Sequence, residues 1–350
     1  MKISVLCILL LFQISGNKGR KEGWESPWQK FKMKIGKREV TSYSDWMSQL
    51  PPELHDIHLY NLAIPGSHNS MSYDLDINSA IIEPERVKFL SKIYLVRIIV
   101  RNWAITQVES ITKQLDAGVR YIDLRIARKP RDTDPTRLYF YHGLYTRTDV
   151  ETALKVINDW AERHPKEILI LALSHFKGFD KKIEEQLHSH LISFIMTLFG
   201  AKLFYKTEHP TLRRCWDKGR NVIVSYEYPA LADLHIEIWS KIPYIYGNSM
   251  DTRKVGSALR HVLETHRPTY CLYVCGLNLT LPEDARILKY ILRLFDNFPN
   301  VIHRGLPRLV RWVKEQAGRT PMNIVASDLA TRDDFIQTVV KLNSPEWVKA

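Results

Sequence analysis

Cysteine is scarce, with 4 in 350 residues. Cys7 lies in the apolar start of the chain, which leaves Cys215, Cys271 and Cys275, an odd number at no framework spacing. If Cys271 and Cys275 share a strand they face one side, but roughly 13 Å apart and beyond disulfide reach. A small scaffold stapled by disulfides is excluded. The 15 glycines form no GxGxxG or GxxxxGKS/T loop after any apolar run, so no nucleotide-phosphate cradle is present. Past the N-terminus there is no apolar run of the roughly 20 residues that a membrane span takes. The stretch 93–105 is broken by Arg97, Arg101 and Asn102. Internal repeats and low-complexity breaks are also missing, which excludes solenoids and fibrous chains. No zinc, basic-zipper or RNP pattern appears, so no nucleic-acid partner is expected.

What is abundant is positive charge. The formal net charge is +12, with 25% charged, 45% hydrophobic and 11% aromatic residues. That balance belongs to a globular protein with an anionic partner. The segment 1–16 combines Lys2, an apolar core and the small residues Ser15 and Gly16, the pattern of a signal peptide or other N-terminal hydrophobic segment. It points to the secretory pathway or the extracellular space, whereas the cysteine usage points to the cytoplasm. The sequon Asn278-Leu279-Thr280 does not decide between them. Residues 17–42 form a basic linker holding Trp24, Trp28 and Phe31, either a solvated spacer or an arm for anionic headgroups. Residues 43–342 then read as one domain, followed by a tail at 343–350.

Within the domain, β-rich apolar runs alternate with helical patterns. The runs lie at 59–64, 119–127, 138–142, 167–174, 221–227, 270–277 and 323–327, with a weaker one near 244–248. Helical periodicity covers 150–163 and 180–199. Strands such as ILILAL and NVIVSY are apolar on both faces, as in a parallel sheet covered by helices. The pattern predicts an α/β fold, a distorted TIM-type (β/α) barrel, with an open doubly wound sheet as the other arrangement.

In such barrels chemistry gathers at the C-terminal ends of the strands. Those ends carry Pro65-Gly66-Ser67-His68-Asn69, Asp123-Leu124-Arg125, Tyr141-His142-Gly143, Ser174-His175, Ser225-Tyr226-Glu227, Asn278 and Ser327-Asp328. Two histidines and an arginine at one mouth suit phosphoryl chemistry. One imidazole takes a proton, the other gives one, and the guanidinium neutralises the phosphate. Each residue also has a structural alternative. His68 could cap a helix, His142 could be a hydrogen-bonded strand-end histidine, Arg125 could pair with Asp123 or Asp116, and Asp328 could be an N-cap.

The segments NLAIPGSHNS at 61–70, GVRYIDLR at 118–125 and YFYHG at 139–143 resemble the phosphatidylinositol-specific phospholipase C X domain. The resemblance is to the PI-PLC X domain-containing proteins, which carry the X domain alone, and it covers about residues 43–342. It implies a phosphoric diester hydrolase that cleaves an inositol phospholipid, at a membrane surface, to diacylglycerol and an inositol cyclic phosphate. His68 matches the general base and His142 the general acid, while Asp328 matches the residue that orients the base. Arg125 and Asp123 complete the catalytic set, and Asn69, Ser174 and Tyr226 are the expected substrate-binding residues. Calcium-dependent relatives gather ligands at the positions of Asn69, Asp123, Arg125 and Ser174. One aspartate facing an arginine is a poor calcium set, so no metal and no cofactor is expected. Bacterial-type relatives commonly have an aspartate where Asn69 stands, and some carry charged residues in place of Ser174-His175. An anionic-lipid-binding protein with weak or no turnover is therefore the other functional reading. EF-hand, C2-like and PH-like segments are absent. Glycerophosphodiester and sphingomyelin phosphodiesterases on similar barrels need a carboxylate metal cluster that this chain lacks.

Overall fold

The computed structural model describes residues 43–282 and 296–344, all within one compact unit. The expected signal segment at 1–16, the basic linker at 17–42 and most of the tail lie outside the described residues. Among the described residues ten strands form one sheet. They are β1 (Ile64–Ser67), β2 (Tyr121–Arg128), β3 (Leu138–His142), β4 (Leu144–Asp149), β5 (Leu169–Lys177), β6 (Val222–Tyr226), β7 (Ile238–Trp239), β8 (Tyr244–Tyr246), β9 (Val274–Gly276) and β10 (Ile324–Ser327). Eight of them pair in parallel in the order β7-β6-β5-β2-β1-β10-β9-β8, and β3 with β4 forms an antiparallel hairpin off β2. The order follows a TIM barrel around its circumference. Between β7 and β8 the ladder stops, so the barrel is distorted and open on that side. Ser225 on β6 holds the segment that follows β7: its Oγ donates to the Ser240 carbonyl at 3.1 Å and accepts the Ile242 N–H at 3.1 Å.

The helices are α1 (Tyr94–Ala104), α2 (Ile111–Ala117), α3 (Val150–Arg163), α4 (Glu184–Phe199), α5 (Leu212–Lys218), α6 (Pro229–Ala232), α7 (Thr252–Thr265), α8 (Phe298–Gln316) and α9 (Phe335–Lys341). Asp149 starts α3 by accepting the Thr152 N–H at 2.9 Å, as an N-cap does. None of the described helices is long and apolar enough to cross a membrane.

The period-2 pleat sends alternate strand residues to two separate cores. Ile122, Leu124, Leu171, Leu173, Val224 and Tyr226 face outward into the layer under the helices. Ile64, Tyr121, Ile170, Ala172, Ile223 and Ala326 fill the barrel interior. Gly66 lies in that interior, where an added Cβ would fall 2.9 Å from the Tyr121 ring. Only glycine lets β1 approach β2 so closely.

The first strand departs from expectation. Residues 59–61 form a 3-10 turn, and the strand starts at Ile64, so that Pro65, Gly66 and Ser67 are strand residues. The Ile64 and His68 N–H groups bond toward β10, which turns the Pro65 position toward β2. Pairing with β2 begins only at Gly66↔Tyr121, so the missing proline N–H interrupts nothing. The weak strand at 244–248 is present as β8. The pattern did not reveal β4 or the two-residue β7.

Below the barrel, Arg120 is fully buried and pairs with Glu167 at 2.7 Å. Its guanidinium also donates to the carbonyls of Leu115, Val119, Tyr43 and Ser44 and lies 4.7 Å from the Trp160 ring. Glu167 in turn accepts the Met47 and Ser48 N–H groups. One ion pair therefore ties the entering chain to the barrel floor. Burial is its largest influence: it lowers the Arg120 pKa and raises that of Glu167. Removing one partner strands the other charge, so Glu167→Leu should lower stability by about 3–5 kcal/mol. The midpoint of a urea unfolding curve measures this, and Leu50→Ala at the edge of the inner core serves as a control for ordinary packing loss.

Candidate active site

The C-terminal ends of β1, β2, β3, β5 and β10 bring His68, Asp123, Arg125, His142, Ser174 and Asp328 together. In the parallel ladder Ser67 is opposite Ser327 and Arg125 is opposite Ser174. The His68 N–H continues that ladder onto the Ser327 carbonyl at 3.1 Å. The residues immediately after His68, Ser174 and Asp328 all have left-handed backbone: Asn69 at φ 45°, His175 at 53° and Leu329 at 46°. Non-glycine residues hold that conformation only where the surroundings over-determine it. Here Gln107 donates to both the His68 and Ser327 carbonyls at 2.9 Å, and Thr106 Oγ1 donates to His68 O at 3.1 Å. Asp123 Oδ2 accepts the Asn69 N–H at 2.9 Å.

Hydrogen-bond chemistry fixes the His68 tautomer. A carboxylate can only accept, so His68 Nδ1, 2.7 Å from Asp328 Oδ1, carries the proton. A guanidinium can only donate, so His68 Nε2 presents its lone pair to Arg125 Nη2 at 3.1 Å. Asn69 Nδ2 lies 3.1 Å from the same nitrogen. Asp328 is held from its other side by the Leu279 N–H at 3.1 Å. It is 1% exposed and caps no helix. The result is an imidazole oriented and polarised as a proton acceptor.

His142 faces it, with ring centroids 6.3 Å apart. Its Nδ1–H donates to the Ala104 carbonyl at 2.6 Å, which leaves Nε2 to exchange a proton. The His142 ring is thus a hydrogen-bonded strand-end histidine as well as a member of the mouth. Gly143 follows it at φ 73°, and an added Cβ would meet Ala104 Cβ at 2.9 Å. Burial, then the Arg125 charge and His68, push the His142 pKa down to about 4, against the Ala104 carbonyl and Glu83. Arg125 goes the other way. Burial opposes its charge, but Asp123, Tyr141 and Glu83 together hold it above its ordinary value. Its partner is not Asp116, whose carboxylate accepts from Trp160 Nε1 at 2.8 Å.

Tyr226 is not in the site. It is 0% exposed, its hydroxyl lies 2.8 Å from His188 Nδ1, and its ring packs against Phe176 under α4. Strand parity explains the correction. Ala172 pairs with Ser225 and Leu173 with Tyr226, so the face shared with Asp123 and Arg125 runs through Ser225 and on to Glu227. Glu227 is the mouth residue at this strand end, and it accepts the His175 N–H at 2.8 Å. Sequence reading also missed Tyr244, whose hydroxyl donates to Asn278 Oδ1 at 3.0 Å and whose ring lies 6.2 Å from His68. It missed Glu83, ion-paired with Lys177 at the end of β5. Asn278, the sequon asparagine, is 4% exposed and turned inward, a position that a glycan could not share with this fold.

A family model described as "Phosphatidylinositol-specific phospholipase C, X domain" matches residues 89–226. Human PI-PLC X domain-containing protein 1 is 39% identical over 307 residues, covering 85% of this chain and 92% of that protein. The chain belongs to the PI-PLC X domain-containing proteins. Mouse PI-PLC X domain-containing protein 3, another relative, is 33% identical over 317 residues, 88% of this chain and 95% of that one. The phosphatidylinositol-specific phospholipase C of Staphylococcus aureus shares the fold with TM-score 0.61 at 17% identity, over 87% of this chain and 98% of its own. That of Listeria monocytogenes does so with TM-score 0.58 at 19% identity, over 87% and 100%.

Among Asn69, Asp123, Arg125 and Ser174, Asp123 is the sole carboxylate; it already accepts a backbone N–H, and a guanidinium stands on the same strand face. No group of three or more His, Cys, Asp or Glu side chains able to hold a metal occurs among the described residues.

Titrated by NMR, the His142 imidazole should stay neutral down through pH 6 and take its proton near pH 4. Arg125→Met should move that titration upward, because it removes the neighbouring cation. An unchanged His142 titration in Arg125→Met would refute the assignment. Lowered pKa values of about 4 at His142 and His188, both pushed down chiefly by burial, also set a stability window. The unfolded chain binds these protons first, so stability is full above about pH 6.5 and is lost as pH falls toward 4.

Proposed function

We propose that the chain is a phosphoric diester hydrolase that cleaves an inositol phospholipid to diacylglycerol and an inositol cyclic phosphate. The observation that carries this reading is the fixed tautomer of His68, with its lone pair at the mouth and Asp328 behind it. A ring hydroxyl of inositol would replace the Arg125 donor on Nε2 and give up its proton there as it attacks phosphorus. Arg125, displaced by only a hydrogen-bond length, would take the phosphate oxygens. His142 Nε2 would then protonate the departing glycerol oxygen. In the free protein His142 is neutral, because Arg125 and burial disfavour its charge. A phosphodiester anion bound against Arg125 offsets that charge and favours the imidazolium, so substrate itself loads the acid. No step needs calcium, since Arg125 supplies the positive charge.

His68→Ala and His142→Ala should each lower turnover about 10²–10⁴-fold. Phosphorus NMR of phosphatidylinositol vesicles in excess chelator shows whether a cyclic inositol phosphate forms. Activity lost in chelator and restored by calcium would overturn the metal-independent part, and a His68→Ala variant with wild-type rate would overturn the base.

The second reading is a lipid-binding protein with weak turnover, and one contact favours it. Asn69 Nδ2 donates to the same His68 nitrogen that must accept the substrate proton. An aspartate there would attract the developing imidazolium instead. Asn69→Asp should therefore raise turnover, and a fall would weaken this reading.

Contact with the membrane would come through residues 84–101, beside the mouth. Phe89, Tyr94 and Leu95 are 70%, 52% and 40% exposed. Arg86, Lys88 and Lys92 are exposed among them, with a single acidic residue, Glu85, in the segment. Apolar side chains ringed by cations suit an anionic lipid surface. Phe89→Glu should weaken cleavage of vesicle lipid at least tenfold while leaving a soluble, short-chain substrate nearly unaffected.

A further inference from the structure

Among the described residues the mouth of the barrel is far less positive than the formal +12 of the chain. Four described carboxylates surround the site, Asp123, Asp328, Glu83 and Glu227. Three described permanent cations accompany them: Arg125, Lys177 and Lys241. None of the three stands without an acidic neighbour. Arg125 lies beside Asp123, Lys177 is ion-paired with Glu83 and Lys241 with Glu227. The two lysine pairs flank the catalytic residues. Glu83 interacts electrostatically with His142 and Arg125, and Lys177 lies 5.3 Å from the Tyr141 ring centre. On the other flank Glu227 and Lys241 face His175, which also feels Arg125 and Asp123. His175 is pushed below its ordinary value, chiefly by burial and then by Arg125, so at neutral pH it adds little positive charge.

A headgroup with one phosphodiester charge is well matched to this balance. Arg125 answers the diester, and carboxylates accept hydrogen bonds from ring hydroxyls. A ring phosphate brings about two further negative charges and no proton to donate. It would have to pull Lys177 or Lys241 away and leave Glu83 or Glu227 as an uncompensated, half-buried carboxylate next to it. We infer that Glu83 and Glu227 are specificity-determining residues that select inositol headgroups without ring phosphates. Each holds its lysine out of reach and repels a second phosphate. This rests on the reading of the mouth as an inositol-phospholipid site. Asn69 supports a polar ring in the same place, because its buried Oδ1 has no protein partner and can accept a ring hydroxyl.

Binding can test this apart from turnover. The whole chain is titrated calorimetrically, in chelator, with glycerophosphoinositol and with its ring-4-phosphorylated form. The expected result is at least tenfold tighter binding of the unphosphorylated headgroup. In Glu83→Gln/Glu227→Gln, which keeps side-chain size and frees both lysines, that preference should shrink at least tenfold or reverse. A thermal unfolding midpoint close to that of the native chain shows that the variant is folded. Equal or tighter binding of the phosphorylated form by the native chain would overturn the inference and leave the proposed reaction standing. An unchanged preference in the double variant would also overturn it. If neither headgroup binds, the inositol reading of the mouth fails, and the selectivity falls with it.

Discussion

The site depends on β1 being held in register between β10 and β2. That seam joins residues 260 positions apart: Ile64 through Ser67 pair with Ile324 through Ser327, and His68 meets Asp328 one step beyond. Register in a strand pair is a discrete choice, since a slip of one residue sends every side chain to the other face. Gly66 permits the close approach, and Gln107 bridges the two strand ends. Once the seam is set, the proton on His68 Nδ1 has one place to go and the lone pair on Nε2 faces the mouth.

The second constraint is electrostatic. The chain is strongly basic, yet its chemistry lies among paired charges, with carboxylates that balance Arg125, Lys177 and Lys241. Glu83 pairs with Lys177 and Glu227 with Lys241, so the mouth is not uniformly positive. Arg86, Lys88 and Lys92 sit elsewhere, exposed on the segment that holds Phe89, Tyr94 and Leu95. The Ala104 carbonyl, at the C-terminal end of α1, anchors His142.

Much of this was legible in the residues. The runs ending in His68, Arg125, His142 and Asp328 pointed to the mouth through their joint placement at strand ends, since each residue alone has a structural alternative. The barrel followed from alternation, although β1 was read several residues early: the apolar run at 59–64 is a 3-10 turn leading into a strand that contains proline and glycine. Tyr226 was read into the site because it sits at a strand end and can hydrogen-bond. Parity counted from Asp123 and Arg125 through the ladder would have chosen Glu227. Glu83 had no such signal, since it lies on an excursion between β1 and β2 whose path depends on the Leu75, Ile81 and Val96 cluster beneath it.

The sequence by itself determined which strands could be buried on both faces and which imidazoles and guanidinium would stand at their ends. Those are properties of residue type and local period. Only the tertiary structure decided the His68 tautomer, the low pKa of His142, the outward turn of Tyr226 and the pairing of Glu83 and Glu227 with their lysines. Each of these depends on a neighbour far away in the chain, and the range of hydrogen bonding and of charge in a poorly solvated pocket is a few ångströms in space, whatever the separation in sequence.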